Sequence, residues 1–167
     1  MMINSLEIYV STGAVKSCQG EGVLCASAIG SCVVVCAYDS DSVAGGMAHV
    51  MLPGRSTRGD SENRTIYAEE ALEELFLEMA GLGAETANLV ICLVGGSDMI
   101  GDGDEGPGLT VIESVTGILA RNKIKPVATE LGGAERRSCD LDVTHGKILI
   151  TVGDSEQRVL WAAGGDS

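Results

Sequence analysis

Short apolar runs rich in β-branched residues recur along this chain, each closed within a few positions by Gly, Pro, Asp, Asn or Ser. Runs of that length and composition favour strands over helices. They predict strands at residues 6–10, 23–29, 32–38, 43–52, 88–94, 127–131, 139–143, 147–152 and 158–161. Thr144-His145-Gly146, between two of them, predicts a hairpin turn. Only two segments carry helical periodicity. Residues 67–82 place Ala68, Leu72, Leu75, Phe76 and Met79 on one face and meet stop signals at Gly81 and Gly83. Residues 109–122 open with Thr110-x-x-Glu113, a capping-box pattern. Two helices among many strands predict an α+β fold, layered as an α/β/β sandwich. No repeat or linker divides the 167 residues, so one domain over 1–167 is expected. The polar segment 53–63 is expected to be a mobile loop.

The core has to be built without aromatics, because the chain has one Phe, one Trp and three Tyr. Val, Ile, Leu, Met and Ala must fill it. A formal net charge of −13 and the lack of a basic stripe argue against binding a phosphate backbone, so no nucleic-acid partner is expected. No run approaches the roughly 20 apolar residues that span a bilayer, and the first residues lack the pattern of a secretory signal. Membrane insertion is therefore not expected. The six cysteines, at 18, 25, 32, 36, 92 and 139, read as reduced thiols and the compartment as cytoplasm.

Two residues stand out chemically. His49 lies inside an otherwise apolar strand, where an imidazole must find hydrogen-bond partners or shift its pKa. Cys32 follows Gly30-Ser31 at the mouth of a strand, where backbone N–H groups of Ser31 and Cys32 are candidates to hold an oxyanion. Spacing alone favours a small core residue for Cys32 and reads His49 equally well as a satisfied core histidine. Cysteine chemistry needs a thiolate, which a nearby imidazole supplies. With a turn near Ser40-Asp41, antiparallel pairing sets Cys32 directly opposite His49. The other histidine, His145, reads as a solvated turn residue.

Ile29-Gly30-Ser31-Cys32-Val33-Val34-Val35, followed by Gly45-Gly46-Met47-Ala48-His49-Val50-Met51-Leu52-Pro53, resembles the chemoreceptor glutamine deamidase family, CheD. The likeness continues through Tyr67-Ala68, Gly95-Gly96 with Met99, Gly132-Gly133 with Arg136-Arg137-Ser138, and Gly146-Lys147. The resemblance implies a CheD-like cysteine-hydrolase sandwich without metal or cofactor. It implies hydrolysis of glutamine amides on methyl-accepting chemotaxis receptors, extending to receptor glutamyl methyl esters. Cys32 is then the nucleophile, His49 the base, and Gly95, Gly96 and Gly108 belong to the substrate loop. The implied partners are the receptor cytoplasmic domain and a CheC-type phosphatase, and a monomer is the default expectation.

Two positions depart from the family. Its third catalytic position, six residues before the cysteine, is usually threonine and is Ala26 here. Ser27 is adjacent but of opposite strand parity, so it takes that role only through a bulge. Before the second helix the family usually shows Ile-Gly-x-Arg-Asn, and this chain has Pro107-Gly108-Leu109-Thr110-Val111. These departures keep open a non-catalytic or weakly active docking protein that binds receptor or phosphatase. Other readings are weaker. Gly101 to Gly106 matches G-x-G-x-x-G, with Glu130 downstream, but sits several residues past its strand and carries carboxylates where a pyrophosphate would lie. Asp98, Asp102, Asp104 and Glu105 do not have calcium-loop spacing, and Cys32 with Cys36 lacks a second pair for zinc.

Overall fold

The computed structural model describes residues 6–57, 63–98 and 106–164. Ten strands form two five-stranded sheets. The first contains β1 (Glu7–Tyr9), β3 (Val23–Ile29), β8 (Arg137–Asp142), β9 (Lys147–Val152) and β10 (Arg158–Ala162), in the order β1-β3-β8-β9-β10. The second contains β2 (Val15–Gln19), β4 (Val33–Asp39), β5 (Ala44–Val50), β6 (Val90–Gly95) and β7 (Ala128–Leu131), in the order β2-β5-β4-β6-β7. Helices α1 (Ala68–Gly81) and α2 (Pro107–Arg121) pack on the outer face of the second sheet. The result is the expected α/β/β layering.

Strand alternation explains the layers. Val33, Val35 and Ala37 of β4 meet the helices through Leu72, Leu75, Val115 and Leu119. Val34, Cys36 and Tyr38 point the other way and meet Leu24, Ile29, Leu141, Ile148 and Ile150 of the first sheet. Every residue of β4 and β5 is buried, as expected for strands covered on both faces. Gly45 and Gly46 let β5 fit between its two neighbours. A side chain at Gly45 would collide with Val143 and Leu141, and one at Gly46 with Leu75 and Met79 of α1.

Some expectations need correcting. β2 was not expected; its residues, Val-Lys-Ser-Cys-Gln, form an edge strand with no clean alternation. The capping box at Thr110 does not form. Helix α2 starts earlier, with Gly106 as N-cap and Pro107 in the first turn, and the Thr110 hydroxyl donates to the Pro107 carbonyl. The start of the loop expected to be mobile is tied down: Gly54 N–H donates to Ser114 Oγ, Ser56 N–H to Glu70, and Arg55 pairs with Glu73. Residues 58–62 of that loop lie outside the described residues, as do Met99 and residues 101–105 of the glycine-rich segment. Among the described residues no helix is long and apolar enough to cross a membrane. His145 is exposed in its turn, as expected, and its ring also bonds Asp142.

Candidate active site

The β4–β5 hairpin brings the two singled-out residues to one end of the inter-sheet layer. Its register differs from the expected one by two residues: Val34, not Cys32, lies opposite His49. The cause is the turn. Asp39, buried at the end of β4, accepts hydrogen bonds from the Ser42 N–H (3.2 Å) and hydroxyl (2.6 Å). Val43 then adopts a left-handed φ of 49°, and pairing resumes at Ala44. A two-residue shift preserves the face. Cys32 therefore sits diagonal to His49 on the same side of the sheet, packed at the edge of the inter-sheet core.

His49 is 3% exposed and its ring is fixed. Nδ1 lies 3.0 Å from the Val10 carbonyl oxygen. A carbonyl only accepts, so Nδ1 carries the proton and Nε2 keeps its lone pair. Burial pushes the imidazole pKa below its usual value, with the Val10 bond opposing in part. Backbone bonds complete the grip: His49 N–H donates to Ala14 (3.0 Å), and Gly13 N–H donates to the His49 carbonyl (2.8 Å).

Cys32 is half-buried, and burial raises its thiol pKa, opposed by a hydrogen bond with the Thr12 side chain. Burial thus disfavours the charged form of both the thiol and the imidazole. Cys25 and Cys92 are pushed further, to about 12. Cys36 is driven well above the usual thiol range, with its sulfur 3.6 Å from that of Cys139.

The turn before Cys32 is anchored from β6. Gly96 N–H donates to the Cys32 carbonyl (2.7 Å) and Ser97 N–H to the Gly30 carbonyl (2.9 Å). In a trans peptide the N–H points opposite the preceding carbonyl, so Ser31 N–H faces away from β6. Gly95, at φ 123°, lies so close to the Cys32 carbonyl that a side chain would strike it. Gly96 and Gly108 make a similar close contact between the end of β6 and the start of α2. Arg137, 5% exposed, bonds the Gly95 carbonyl (3.3 Å) and Glu130 (2.9 Å), tying β8 of the first sheet to β6 and β7 of the second.

A bulge does interrupt β3 between Ala26 and Ile29, with Ala28 at φ 52°. Ser27 nevertheless stays exposed and Ala26 is buried in the apolar inter-sheet layer. The partner of the His49 ring is the Val10 backbone, and the side chain that opposes the burial shift at Cys32 is that of Thr12. Neither was singled out in the sequence, where a small polar stretch between two strands gives no local sign of a contact twenty to forty residues away. A separate cavity of about 310 Å³ lies beside Gly96, lined by Asp98, Leu109, Ile112, Gly132, Gly133 and Ala134. The Asp98 carboxylate lies against Gly106 at the α2 N-terminus, the place a pyrophosphate would need. Among the described residues no group of His, Cys, Asp or Glu is arranged to hold a metal ion.

The family model described as CheD chemotactic sensory transduction matches residues 51–152. This chain belongs to the CheD family. A probable chemoreceptor glutamine deamidase CheD of Chlorobium luteolum is 34% identical over 154 residues, covering 92% of this chain and 77% of that protein. A chemoreceptor glutamine deamidase CheD of Thermotoga maritima is 32% identical over 149 residues, covering 89% of this chain and 94% of that one. The CheD match begins just after His49, but an alignment over 92% of the chain necessarily includes both Cys32 and His49.

Proposed function

We propose that this chain is a protein-glutamine deamidase acting on chemoreceptors, with Cys32 as nucleophile and His49 as general base. The carrying observation is that both residues lie on one face at one end of the inter-sheet layer, with Nε2 left as the free lone pair by the Val10–His49 bond. In the reaction, Nε2 takes the Cys32 thiol proton as Sγ attacks the glutamine side-chain carbonyl carbon. The carbonyl oxygen gains negative charge, and the Ser31 and Cys32 N–H groups hold it. The imidazolium then gives its proton to the departing nitrogen, ammonia leaves, and a thioester remains. His49 next takes a proton from water, the hydroxide attacks the thioester, and collapse returns the Cys32 thiolate, which regains a proton from His49. The product is glutamate. A glutamyl methyl ester follows the same route with methanol as leaving group.

Gly95, Gly96 and Gly108 serve this reading as the close-packed support behind the Cys32 turn, with substrate entering on the opposite side. The whole chain acts as one domain and as a monomer in the cytoplasm, and a CheC-type phosphatase competes for the receptor-binding face. The vacancy at Ala26 supports one alternative, a docking protein that binds receptor or phosphatase without turnover. A receptor cytoplasmic fragment incubated with the protein separates the two. The enzyme converts glutamine amide to acid, seen by mass spectrometry, and Cys32→Ala abolishes the conversion. Binding by both forms with no conversion by either supports docking.

A further inference from the structure

Arg137 meets the Cys32 turn from two directions. Its backbone pairs with Ile29, the last residue of β3 before Gly30. Its buried side chain crosses from the first sheet to the second and donates to the Gly95 carbonyl (3.3 Å). Its Nε (3.2 Å) and its other terminal nitrogen (2.9 Å) hold Glu130 Oε2, while Arg158 holds Glu130 Oε1 (2.6 Å). The Gly95 carbonyl and the Gly96 N–H belong to one peptide unit. Its oxygen accepts from Arg137 and from Gly132 N–H (2.9 Å), and its N–H donates to the Cys32 carbonyl (2.7 Å). The residues on either side of this unit are glycines at left-handed φ, 123° and 67°. Two glycines leave a peptide little preference of its own for the way it faces. Its hydrogen bonds therefore set its direction.

We infer that Arg137 is a positioning residue for the reaction, holding the Gly95–Gly96 peptide so that it anchors the turn that carries Cys32 and the oxyanion-binding N–H groups. The inference rests on the deamidase reading with Cys32 as nucleophile. Arg137 is buried and acts through this peptide, not on the reacting atoms. A guanidinium is a permanently charged donor. On a carbonyl it polarises the peptide and strengthens the hydrogen bond that the N–H makes at the other end. That N–H holds the Cys32 carbonyl. The next one along, Ser97 N–H, holds the Gly30 carbonyl (2.9 Å). The two anchors bracket Ser31, so together they set where the Ser31 and Cys32 N–H groups point, which is what a developing oxyanion requires. The Arg137–Glu130 pair alone would tie the sheets together. The bond to Gly95 places the same guanidinium directly behind the nucleophile's turn.

The test compares turnover of a receptor cytoplasmic fragment with iodoacetamide alkylation of Cys32 in the same full-chain variants. Alkylation displaces iodide and forms no oxyanion, so it reports the sulfur and its base without the N–H groups. Arg137→Met should lower kcat about tenfold and leave KM within about twofold. That is less than the roughly 10²–10³ lost with an oxyanion donor outright, because the N–H groups are displaced and not removed. Its alkylation rate should stay near that of wild type. Arg137→Lys keeps the charge but not the planar fork that serves Glu130 and Gly95 together, and should lose about three- to fivefold in kcat. It carries the test if Arg137→Met does not fold. Arg158→Met removes the exposed partner of Glu130 and should leave both rates unchanged. A wild-type kcat in the folded Arg137 variants overturns the inference. So does alkylation that falls in step with kcat, which marks a general loosening of the site. A wild-type protein that converts no receptor glutamine overturns the deamidase reading, and the inference with it.

Discussion

His49 Nδ1 bonds the carbonyl of Val10, a residue from the other end of a crossing strap, and this one contact fixes which ring nitrogen is free to take a proton. Because the base is oriented by backbone, no side-chain substitution at position 10 removes the acceptor. His49→Gln keeps a polar side chain in the pocket but lacks a titratable base. We expect a loss of about 10²–10⁴-fold in kcat, the usual contribution of a general base, with a smaller change in KM. A deamidation assay on a receptor fragment measures it.

The pH profile follows from the directions of the two shifts. Burial lowers the His49 pKa, so the ring stays neutral and usable as a base to below the usual value near 6.5. Burial raises the Cys32 thiol pKa, so free thiolate accumulates only above the usual value near 9. The acid limb of kcat/KM should therefore fall below pH 6.5, with activity rising or level through neutral pH. A resting thiolate–imidazolium pair would place a falling limb in the region where the imidazolium loses its proton, and a profile of that shape contradicts the neutral pair.

Gly95→Ala should damage both stability and turnover. The new methyl meets the Cys32 carbonyl, which is backbone and cannot rotate away, at a φ of 123° that side-chain-bearing residues rarely adopt. A cost of about 1–3 kcal/mol from overcrowding is expected. Gly46→Ala meets the flexible ends of Leu75 and Met79 instead and should cost less. Urea unfolding of the two variants gives the comparison.

Arg137→Met should destabilise the chain by about 1–3 kcal/mol, because it removes a buried donor from partly exposed Glu130 and from the Gly95 carbonyl, which keeps the Gly132 N–H. Glu130 keeps Arg158 at 2.6 Å, an exposed partner, so the loss falls toward the lower end. The shift in urea midpoint at constant m reads it directly.

Much of the architecture was legible because burial on both faces leaves an uninterrupted apolar run. β3 and β9 were predicted at their observed ends, and β4 and β5 within one or two residues. The hairpin register was not legible, because it depends on Asp39 reaching Ser42 and on Val43 accepting a left-handed backbone, neither of which has a periodicity. The face shared by Cys32 and His49 survived that error, since parity depends on even shifts alone. Thr12 and Val10 were invisible for a different reason. Their roles come from a chain crossing between sheets, and β2, the strand that fixes where the crossing lands, is a short edge strand without a clear pattern.

The most direct measurement is a rapid acid quench of the protein mixed with a receptor fragment, followed by peptide mass spectrometry of the Cys32 segment. A transient adduct on Cys32, equal to the substrate peptide less ammonia, should rise and decay in the wild-type protein and be strongly reduced in His49→Gln. Conversion of glutamine that proceeds with no adduct at Cys32, and continues unchanged in Cys32→Ala, contradicts the account.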